Sequence, residues 1–367
     1  MTFDLELIDL KKVYPGGTLA VEAFNLQVSK GEFVSFVGPS GCGKTTTLRM
    51  IAGLESITAG RLMIRGTDYT EVPTEKRPTA TIFQNYAIFP HMTVRQNMEF
   101  GLRVRNLGTD EIKRRVDSML EMLELTDVAD EKERVLSGGQ KQRLALGRGL
   151  VTEPDILLLD EPLGALDANL RKSIQEELKV LQRELGITFV FVTHAQSEAI
   201  SMGDRVVVMN SGRVEQISTP FELYTRPQSP FVARFVGRNK IIAGTLAGTD
   251  GDRTVIKTRF GTISGVPTFA QGTASEGAEA MAVVPSEYVS IQDVSAAEES
   301  GRDGVTGVVT QIDPVGHVAF VTVRLDETQE IRLETYRRKI EDMSLANGAE
   351  VRLTWLPERT SIVLDAA

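Results

Sequence analysis

A glycine-rich octapeptide is the feature that most constrains this chain. Residues 38–45 read GPSGCGKT, which fits the pattern G-x-x-x-x-G-K-[S/T]. The apolar run 31–38 leads into it and reads as a buried strand, and a helical stretch follows from Lys44. Glycines let a loop curl until its backbone N–H groups converge on phosphate oxygens, and the start of the next helix adds the positive end of its dipole. The pattern therefore predicts a strand–loop–helix unit that binds the phosphates of a nucleotide.

Two side chains of this loop have the chemistry that a nucleoside triphosphate requires. The ammonium of Lys44 is expected to reach the β- and γ-phosphates, and the hydroxyl of Thr45 to complete the shell of a bound Mg²⁺ ion. A chance glycine turn is the alternative, and the flanking strand and helix disfavour it. Alone, the loop indicates only a nucleotide-hydrolysing enzyme or a kinase. The residues predicted to contact the nucleotide here are Ser40, Gly41, Cys42, Gly43, Lys44, Thr45 and Thr46.

The first two thirds of the chain alternate between strand-like and helical patterns. Apolar runs at 156–160 and 188–193 read as buried strands, and residues 110–125 and 168–185 have a helical period. This alternation is typical of an α/β domain with a largely parallel sheet that is covered on both faces.

Beyond about residue 240 the helical pattern mostly disappears. Short alternating runs such as 318–325 and 351–356 are separated by Gly, Asp and Pro, and 272–277 and 296–304 read as loops. These features predict a small β-barrel domain. The segment 220–237 is expected to lead from one domain to the other.

Charge and composition disfavour several other functions and kinds of site. A net charge of −9 is unfavourable for a nucleic-acid-binding surface, so we expect no nucleic-acid partner. No apolar run approaches the roughly 20 residues that span a bilayer, and the first residues lack the pattern of a secretory signal. Cys42 is the only cysteine, which excludes an intrachain disulfide, and with only three histidines a structural zinc site is disfavoured. We therefore expect a cytoplasmic protein that does not itself form a membrane pore.

A second glycine-containing loop indicates which family of nucleotide-binding proteins the chain resembles. Residues 136–140 read LSGGQ and precede KQR and a helical run. This string resembles the signature motif of the ABC ATPase family. A serine hydroxyl and glycine N–H groups at a helix start suit a γ-phosphate. A mobile glycine linker is the alternative, which the order and spacing disfavour. The resemblance implies that ATP is contacted by Ser137, Gly138, Gly139 and Gln140.

Three further residues match motifs of that family in the expected order. Tyr14, in KVYP, resembles the aromatic residue that stacks on adenine, a contact worth about 1–3 kcal/mol; a tyrosine beside a turn is the alternative. Gln84, in IFQNY, is similar to the glutamine that contacts Mg²⁺ or the attacking water. Asp167, in LGALD, keeps the carboxylate of the family's D-loop. Gly164 stands where many relatives have serine, so no hydroxyl contact is carried over to it.

Residues 156–162 read ILLLDEP and resemble the Walker B segment. Carboxylates after a buried strand emerge at its carboxyl end, where open α/β sheets bind ligands. The resemblance implies that Asp160 holds Mg²⁺ through water and that Glu161 is the general base; a charge pair at a helix start is the alternative. His194 resembles the switch histidine that orients the water. No role is carried over to Ala195, where many relatives have aspartate.

The resemblance covers essentially the whole chain. It implies an α/β P-loop ABC ATPase domain at residues 1–238, with a helical subdomain at about 86–155. Residues 239–367 resemble an all-β, OB-like accessory domain of the kind called TOBE. The accessory domain either strengthens dimerisation or holds a regulatory site. This arrangement resembles importers of the polyamine, ferric-iron and maltose types, and the segment 93–102 looks most like the spermidine/putrescine and ferric-iron branches.

The same resemblance implies the partners. The chain has one copy of each motif, and in the family the signature loop serves ATP held by the other subunit, so we expect a homodimer with shared ATP and Mg²⁺ sites. Two transmembrane permease subunits would bind it at the cytoplasmic face of the inner membrane, where it is peripheral. A periplasmic or extracellular substrate-binding protein would act indirectly. The alternatives are import of ferric iron, a sugar or a phosphonate, and a soluble ABC ATPase switch that transports nothing.

Overall fold

The computed structural model describes residues 3–164, 168–270, 274–294 and 302–365. The chain forms two compact units, Met1–Pro220 and Phe221–Ala367. No helix among the described residues is long and apolar enough to cross a bilayer.

The division between the units lies upstream of the boundary expected at residue 238. The physical reason is packing within the second unit. Ala233 lies in an apolar cluster with Met281, Val283 and Val363, all of which follow the boundary. The segment expected to connect the domains therefore contributes to the core of the second one.

The first unit is an α/β structure, as the sequence predicts. Its strands are β1 (Leu5–Val13), β2 (Leu19–Val28), β3 (Phe33–Val37), β4 (Ala59–Ile64), β5 (Thr67–Asp68), β6 (Thr79–Ile82), β7 (Ile156–Asp160), β8 (Thr188–Val192), β9 (Arg205–Asn210) and β10 (Arg213–Ser218). Its α-helices are α1 (Lys44–Ala52), α2 (Val94–Val104), α3 (Thr109–Met122), α4 (Gly138–Leu150), α5 (Ala168–Leu185) and α6 (Gln196–Met202).

A six-stranded sheet runs through this unit in the order β10-β9-β3-β8-β7-β6. From β9 to β6 each neighbouring pair is parallel, and β10 is antiparallel to β9. Strands β3 and β8 are buried along their whole length, as expected of a parallel sheet covered on both faces. The carboxyl ends of β3, β8, β7 and β6 therefore lie side by side at one end of the sheet.

A four-stranded antiparallel sheet, β2-β1-β4-β5, shares a core with the central sheet. The rings of Phe24 in β2 and Phe36 in β3 are 5.6 Å apart between centroids. Leu48 and Ile51 on α1 belong to the same buried cluster. This packing fixes the direction of α1 relative to the loop that precedes it.

Helices α2, α3 and α4 lie within residues 86–155, where a helical subdomain is expected. They pack through one buried cluster that includes Met98, Val116 and Leu144. Gly147 allows the close approach, because a Cβ there would lie 2.6 Å from the Cε of Met98 and 2.8 Å from a methyl group of Leu123.

The second unit is almost entirely β-structure. Its elements are α7 (Pro220–Thr225), α8 (Pro230–Phe235), β11 (Lys240–Asp250), β12 (Arg253–Thr258), β13 (Gly261–Pro267), β14 (Glu279–Val284), β15 (Ser290–Asp293), β16 (Asp303–Val315), β17 (Val318–Arg324), β18 (Glu330–Tyr336), α9 (Arg337–Asp342), β19 (Glu350–Trp355) and β20 (Ser361–Leu364). The predicted loop 296–304 extends too far, because β16 already begins at Asp303. Most of that loop and the start of the loop 272–277 lie outside the described residues.

These strands form a closed barrel and a second sheet. The barrel has the order β11-β12-β13-β20-β14, and β15-β19-β16-β17-β18 form a five-stranded sheet. One buried cluster joins them, with Ile256 and Ile362 from the barrel and Leu353 and Trp355 from the sheet. The prediction of a small barrel is confirmed, and the structure adds the five-stranded sheet that packs with it.

Candidate functional site

Four parallel strands bring the predicted catalytic residues of the first unit together. The glycine-rich loop follows β3, Gln84 lies shortly after β6, Asp160 ends β7, and His194 lies shortly after β8. Because these strands are neighbours, residues far apart in the sequence meet at one end of the sheet.

The glycine-rich loop joins β3 to α1 as predicted, and its glycines have steric reasons. A Cβ on Gly38 would overlap the carbonyl oxygen of Met209, and a Cβ on Gly43 would overlap that of Ala20. Gly43 also has φ of 102°, a left-handed conformation that favours glycine. The first N–H groups of a helix have no partner within the helix. At the start of α1 no side chain of the described residues caps them either. The loop has the open donors that phosphate binding requires.

Lys44 lies across its own loop. Its ammonium is buried and donates to the carbonyl oxygens of Gly38 at 2.8 Å and Pro39 at 2.9 Å. The buried sulfur of Cys42 lies 3.5 Å from the same nitrogen. Neutral oxygens thus hold the positive charge at the loop, and no carboxylate among the described residues forms an ion pair with it.

Thr45 and Asp160 supply oxygen atoms suited to a divalent cation. The Thr45 hydroxyl donates to Oδ1 of Asp160 over 3.3 Å. Burial raises the pKa of the Asp160 carboxyl, and the hydrogen bond from Thr45 acts in the opposite direction. A hydroxyl and a carboxylate that touch fit Mg²⁺, which binds few protein oxygens and keeps water or substrate phosphates as its other ligands.

Glu161 is the meeting point of three motifs. Its Oε2 accepts a hydrogen bond from Nε2 of Gln84 over 3.4 Å and lies 3.2 Å from Nδ1 of His194. Its backbone has φ of 47°, a strained left-handed value, and its N–H donates to the carbonyl oxygen of Val192 at 2.9 Å. The end of β8 therefore fixes the turn that points this carboxylate at Gln84 and His194.

A buried network behind His194 escaped the sequence analysis. The Thr193 hydroxyl donates to Oε2 of Glu198 at 2.5 Å and accepts from the N–H of Ala195 at 3.0 Å. The other oxygen of Glu198 lies 3.5 Å from Nε of Arg171 on α5. Nothing in the sequence marks this link, because an acidic residue in the first turn of a helix is common without any such partner.

Tyr14 lies near the start of α1, as a nucleotide-stacking role would require. Its hydroxyl is 3.5 Å from the Thr46 hydroxyl and donates to Glu55 over 3.4 Å. Lys12 lies 5.1 Å from the centre of the ring and forms an ion pair with Glu55 at 2.7 Å. That lysine holds the pKa of the Glu55 carboxyl below its ordinary value. Sequence reasoning missed both charged residues.

The signature loop forms a capping box at the start of α4. Ser137 Oγ accepts from the N–H of Gln140 at 3.3 Å, and Gln140 Oε1 accepts from the N–H of Ser137 at 2.9 Å. Gly138 and Gly139 are the first two residues of the helix. In the described part of the chain, no hydrogen bond or ion pair joins residues 137–140 to the glycine-rich loop. Asp167, the predicted D-loop carboxylate, lies outside the described residues.

Comparisons with known proteins place the chain in a family. The model of the ABC transporter family matches residues 21–164, and that of the TOBE domain matches residues 283–363. The spermidine/putrescine import ATP-binding protein PotA of Acidothermus cellulolyticus is 43% identical, over 96% of this chain and 92% of the relative. The protein of the same name from Thermobifida fusca is 44% identical, over 98% and 93%.

Among solved structures, an ATP-binding cassette determined as a dimer in a post-hydrolysis state with ADP and Pi is also similar. It is 33% identical with a TM-score of 0.52, over 59% of this chain and 98% of that one. The chain therefore belongs to the family of ABC transporter ATP-binding proteins, the ATPases that energise transport, and carries a TOBE domain in its second unit.

Proposed function

We propose that this chain hydrolyses Mg²⁺-bound ATP to drive the import of spermidine and putrescine. The polyamine assignment is supported by two relatives named for that import, which align over nearly the whole chain. The observation that carries the hydrolytic part is the convergence of Gln84 and His194 on one oxygen of Glu161, beside the contact of Thr45 with Asp160.

In this proposal the glycine-rich loop holds the triphosphate. Lys44 would leave the carbonyl oxygens of Gly38 and Pro39 and pair with the β- and γ-phosphates, which offer it full negative charge in place of neutral oxygens. The N–H groups at the start of α1 and residues 40–46 bind the phosphate oxygens. Tyr14 stacks on the adenine ring.

Thr45 and Asp160 would hold Mg²⁺, with Asp160 acting through water and Gln84 joining them. When bound, the ion neutralises charge that develops on the phosphate oxygens during transfer. Burial of Asp160 favours this arrangement, because the half-buried carboxylate has no ion-pair partner among the described residues.

Glu161 would act as the general base. Its Oε2 takes a proton from the water that attacks the γ-phosphorus. Gln84 and His194 contact this carboxylate and would position the water once substrate is present. Positioning of this kind is the main contribution that a protein makes to phosphoryl transfer.

We propose a homodimer in which Ser137, Gly138, Gly139 and Gln140 of one copy contact the γ-phosphate held by the other. The start of α4 supports this role, since the capping box uses the N–H groups of Ser137 and Gln140 and leaves those of Gly138 and Gly139 as donors for an anion. The dimeric relative described above also supports it. Asp167 is proposed to contact the same interface.

Two permease subunits and an external substrate-binding protein complete the proposed importer, with this chain peripheral on the cytoplasmic face of the membrane. The test is reconstitution of the chain with its permease in liposomes, where ATP hydrolysis and uptake are measured with the binding protein and each candidate substrate. We expect spermidine and putrescine to stimulate both.

Stimulation by ferric iron, a sugar or a phosphonate in their place would overturn the polyamine assignment and leave the ATPase assignment intact. A chain that hydrolyses ATP but never co-purifies with permease subunits would overturn the transport assignment. That outcome would favour a soluble ATPase switch.

A further inference from the structure

The second unit contains a polar cavity that the ATPase function does not use. It has a volume of about 400 Å³ and lies where the start of β11 meets β17 and β18. Three cationic side chains line it, Arg238, Lys240 and Arg332, against one carboxylate, Glu334. This concentration of positive charge stands out in a chain whose net charge is −9.

An aromatic ring draws two of the cations together. The guanidinium of Arg332 lies 4.7 Å from the centre of the Phe320 ring, and that of Arg238 lies 5.9 Å from it. Each also has one carboxylate, since Arg238 pairs with Glu334 at 2.7 Å and Arg332 with Asp313 at 3.3 Å. The ring and the carboxylates hold both guanidinium planes in place, and cation–π contacts do so without removing positive charge.

Lys240 is the unusual member of the group. It is half-buried, yet within the described ranges its ammonium has no ion-pair or hydrogen-bond partner. Burial, and then the charge of Arg238, lower the pKa of Lys240. A half-buried ammonium beside a like charge opposes folding unless an anion compensates it. Groups that are unfavourable for folding are characteristic of binding sites.

We propose that this cavity is a regulatory binding site for a small phosphorylated molecule, whose phosphate group is held by Lys240, Arg332 and Arg238. Guanidinium groups bind phosphate through paired N–H donors, and the lysine adds a point charge. The hydroxyl of Ser286 also lines the cavity and supplies a neutral donor.

A neighbouring cavity gives the organic part of such a ligand room. It has a volume of about 630 Å³ and shares Arg238, Ser286 and Glu334 with the first. Its wall includes the exposed ring of Tyr336 and the imidazole of His317, so it offers flat surfaces as well as polar groups. Inorganic phosphate is the other source of the same chemistry, and it would fill the smaller cavity alone.

Calorimetric titration tests the site directly. The full-length chain is saturated with Mg²⁺-ADP, so that the glycine-rich loop is filled, and titrated with glucose 6-phosphate and, separately, with inorganic phosphate. We expect binding that weakens at least tenfold in Lys240→Gln and in Arg332→Gln. Arg253→Gln is the matched control, because it removes one positive charge from β12 of the same unit, where Arg253 lies 3.6 Å from Glu358.

The outcomes distinguish an organic phosphate from inorganic phosphate as the ligand. Glucose 6-phosphate binding at least as tightly as inorganic phosphate supports an organic ligand, and binding of inorganic phosphate alone supports the free anion. Binding that is absent from the wild type, or that is equal in wild type, Lys240→Gln and Arg332→Gln, overturns the proposal. The ATPase rate without added glucose 6-phosphate or inorganic phosphate should be unchanged in these variants, because neither residue lies at the ATP site.

A second measurement does not depend on the probe. Lys240→Met removes the uncompensated charge and keeps an unbranched side chain that is one atom shorter, so the ligand-free variant should melt at a higher temperature than the wild type. A structural lysine would give the opposite result. A lower melting temperature for Lys240→Met would therefore overturn the argument from uncompensated charge.

Discussion

Two lysines, one in each unit, show how differently the chain treats a cation that lacks a carboxylate partner. Lys44 is buried, and two carbonyl oxygens of its own loop hold it at 2.8 and 2.9 Å. Lys240 is half-buried, and the described residues give it neither a carbonyl nor a carboxylate. The ammonium of Lys44 thus has hydrogen-bond acceptors in its own loop. We infer that the ammonium of Lys240 obtains its acceptor from a ligand.

The difference follows from the local backbone. A loop that curls around a phosphate turns its N–H groups inward, and Gly38 and Pro39 have carbonyl oxygens within reach of Lys44. The cavity of the second unit is formed by the side chains of neighbouring antiparallel strands, whose backbone groups are already paired in ladders. A cation on such a surface has only side chains or ligands to pair with.

The largest effect is expected at Glu161, which belongs to the same ATP site as Lys44. Glu161→Gln should lower the ATPase rate by about 10²–10⁴-fold, because an amide does not accept the proton of the attacking water. ATP binding should be retained, because Glu161 does not belong to the phosphate loop. Phosphate release and equilibrium ATP binding measure the two effects. Glu121→Gln, exposed on α3, is the control, and ATPase activity of Glu161→Gln near that of the control would remove Glu161 from the site.

The same chemical change at the two lysines should have opposite effects on stability. Lys44→Met should lower the ATPase rate by roughly 10²–10³-fold, since it removes a donor to the charge of the transition state. It should also lower the free energy of unfolding by about 1–3 kcal/mol, because two loop carbonyls lose their partner. Lys240→Met should leave the rate unchanged and raise stability. Denaturant unfolding of both variants without ligand measures this, and a shift of the same sign in both would break the contrast.

The sequence predicts the functional site of the first unit better than that of the second, because the site of the first unit lies at the ends of parallel strands. A run such as ILLLD predicts both a buried strand and the place of Asp160, because parallel strands bind ligands at their carboxyl ends. The meeting of Gln84 with Glu161 follows from strand order, which the family resemblance supplies. The link from Glu198 to Arg171 depends on the packing of α5 against α6, and neither residue is part of a pattern that predicts it.

In the second unit the alternating runs predict strands, but not which side chains face each other. Phe320, Arg332 and Glu334 come from neighbouring strands, and Lys240 from a strand that pairs elsewhere, so only the register and the curvature of the sheet bring them together. A shift of one residue would place each of these side chains on the other face. The contacts of Ala233 with residues after 238 are likewise not visible in the sequence, so the division of the chain at Pro220 could not be predicted from it.

A smaller effect is expected at Glu198, which supports the ATP site from behind. Glu198→Ala leaves the Thr193 hydroxyl without its acceptor, so the free energy of unfolding should fall by about 1–3 kcal/mol. The turn that holds His194 loosens, and kcat should fall roughly tenfold with the KM for ATP unchanged. Glu198→Gln keeps an acceptor and should recover part of kcat.

Steady-state kinetics and denaturant unfolding check this prediction, with Glu176→Ala, exposed on α5, as the control. A loss of stability with no change in kcat would show that the network is structural and does not position His194. A change in KM alone would contradict the prediction as well.

The smallest effect on stability is expected at Asp160, whose buried charge can be compared with that of Lys240. Burial raises the pKa of this carboxyl above its ordinary value of 3.8, so folding favours the neutral form. The stability that protonation contributes is present below about pH 4 and is lost as the pH rises through the folded pKa. Above the folded pKa the carboxylate is charged and opposes folding, as the Lys240 ammonium does. Asp160→Asn should then melt about 2 °C higher than the wild type at pH 7, a shift of less than 1 kcal/mol. The difference in melting temperature should disappear toward pH 4.

Asp155→Asn is the control. It removes an ion pair with Arg65 just before β7 and should not gain stability. A less stable Asp160→Asn at pH 7 would mean that the contact with Thr45 outweighs burial. Of the two sites, the cavity of the second unit alone would then keep an uncompensated charge for its ligand.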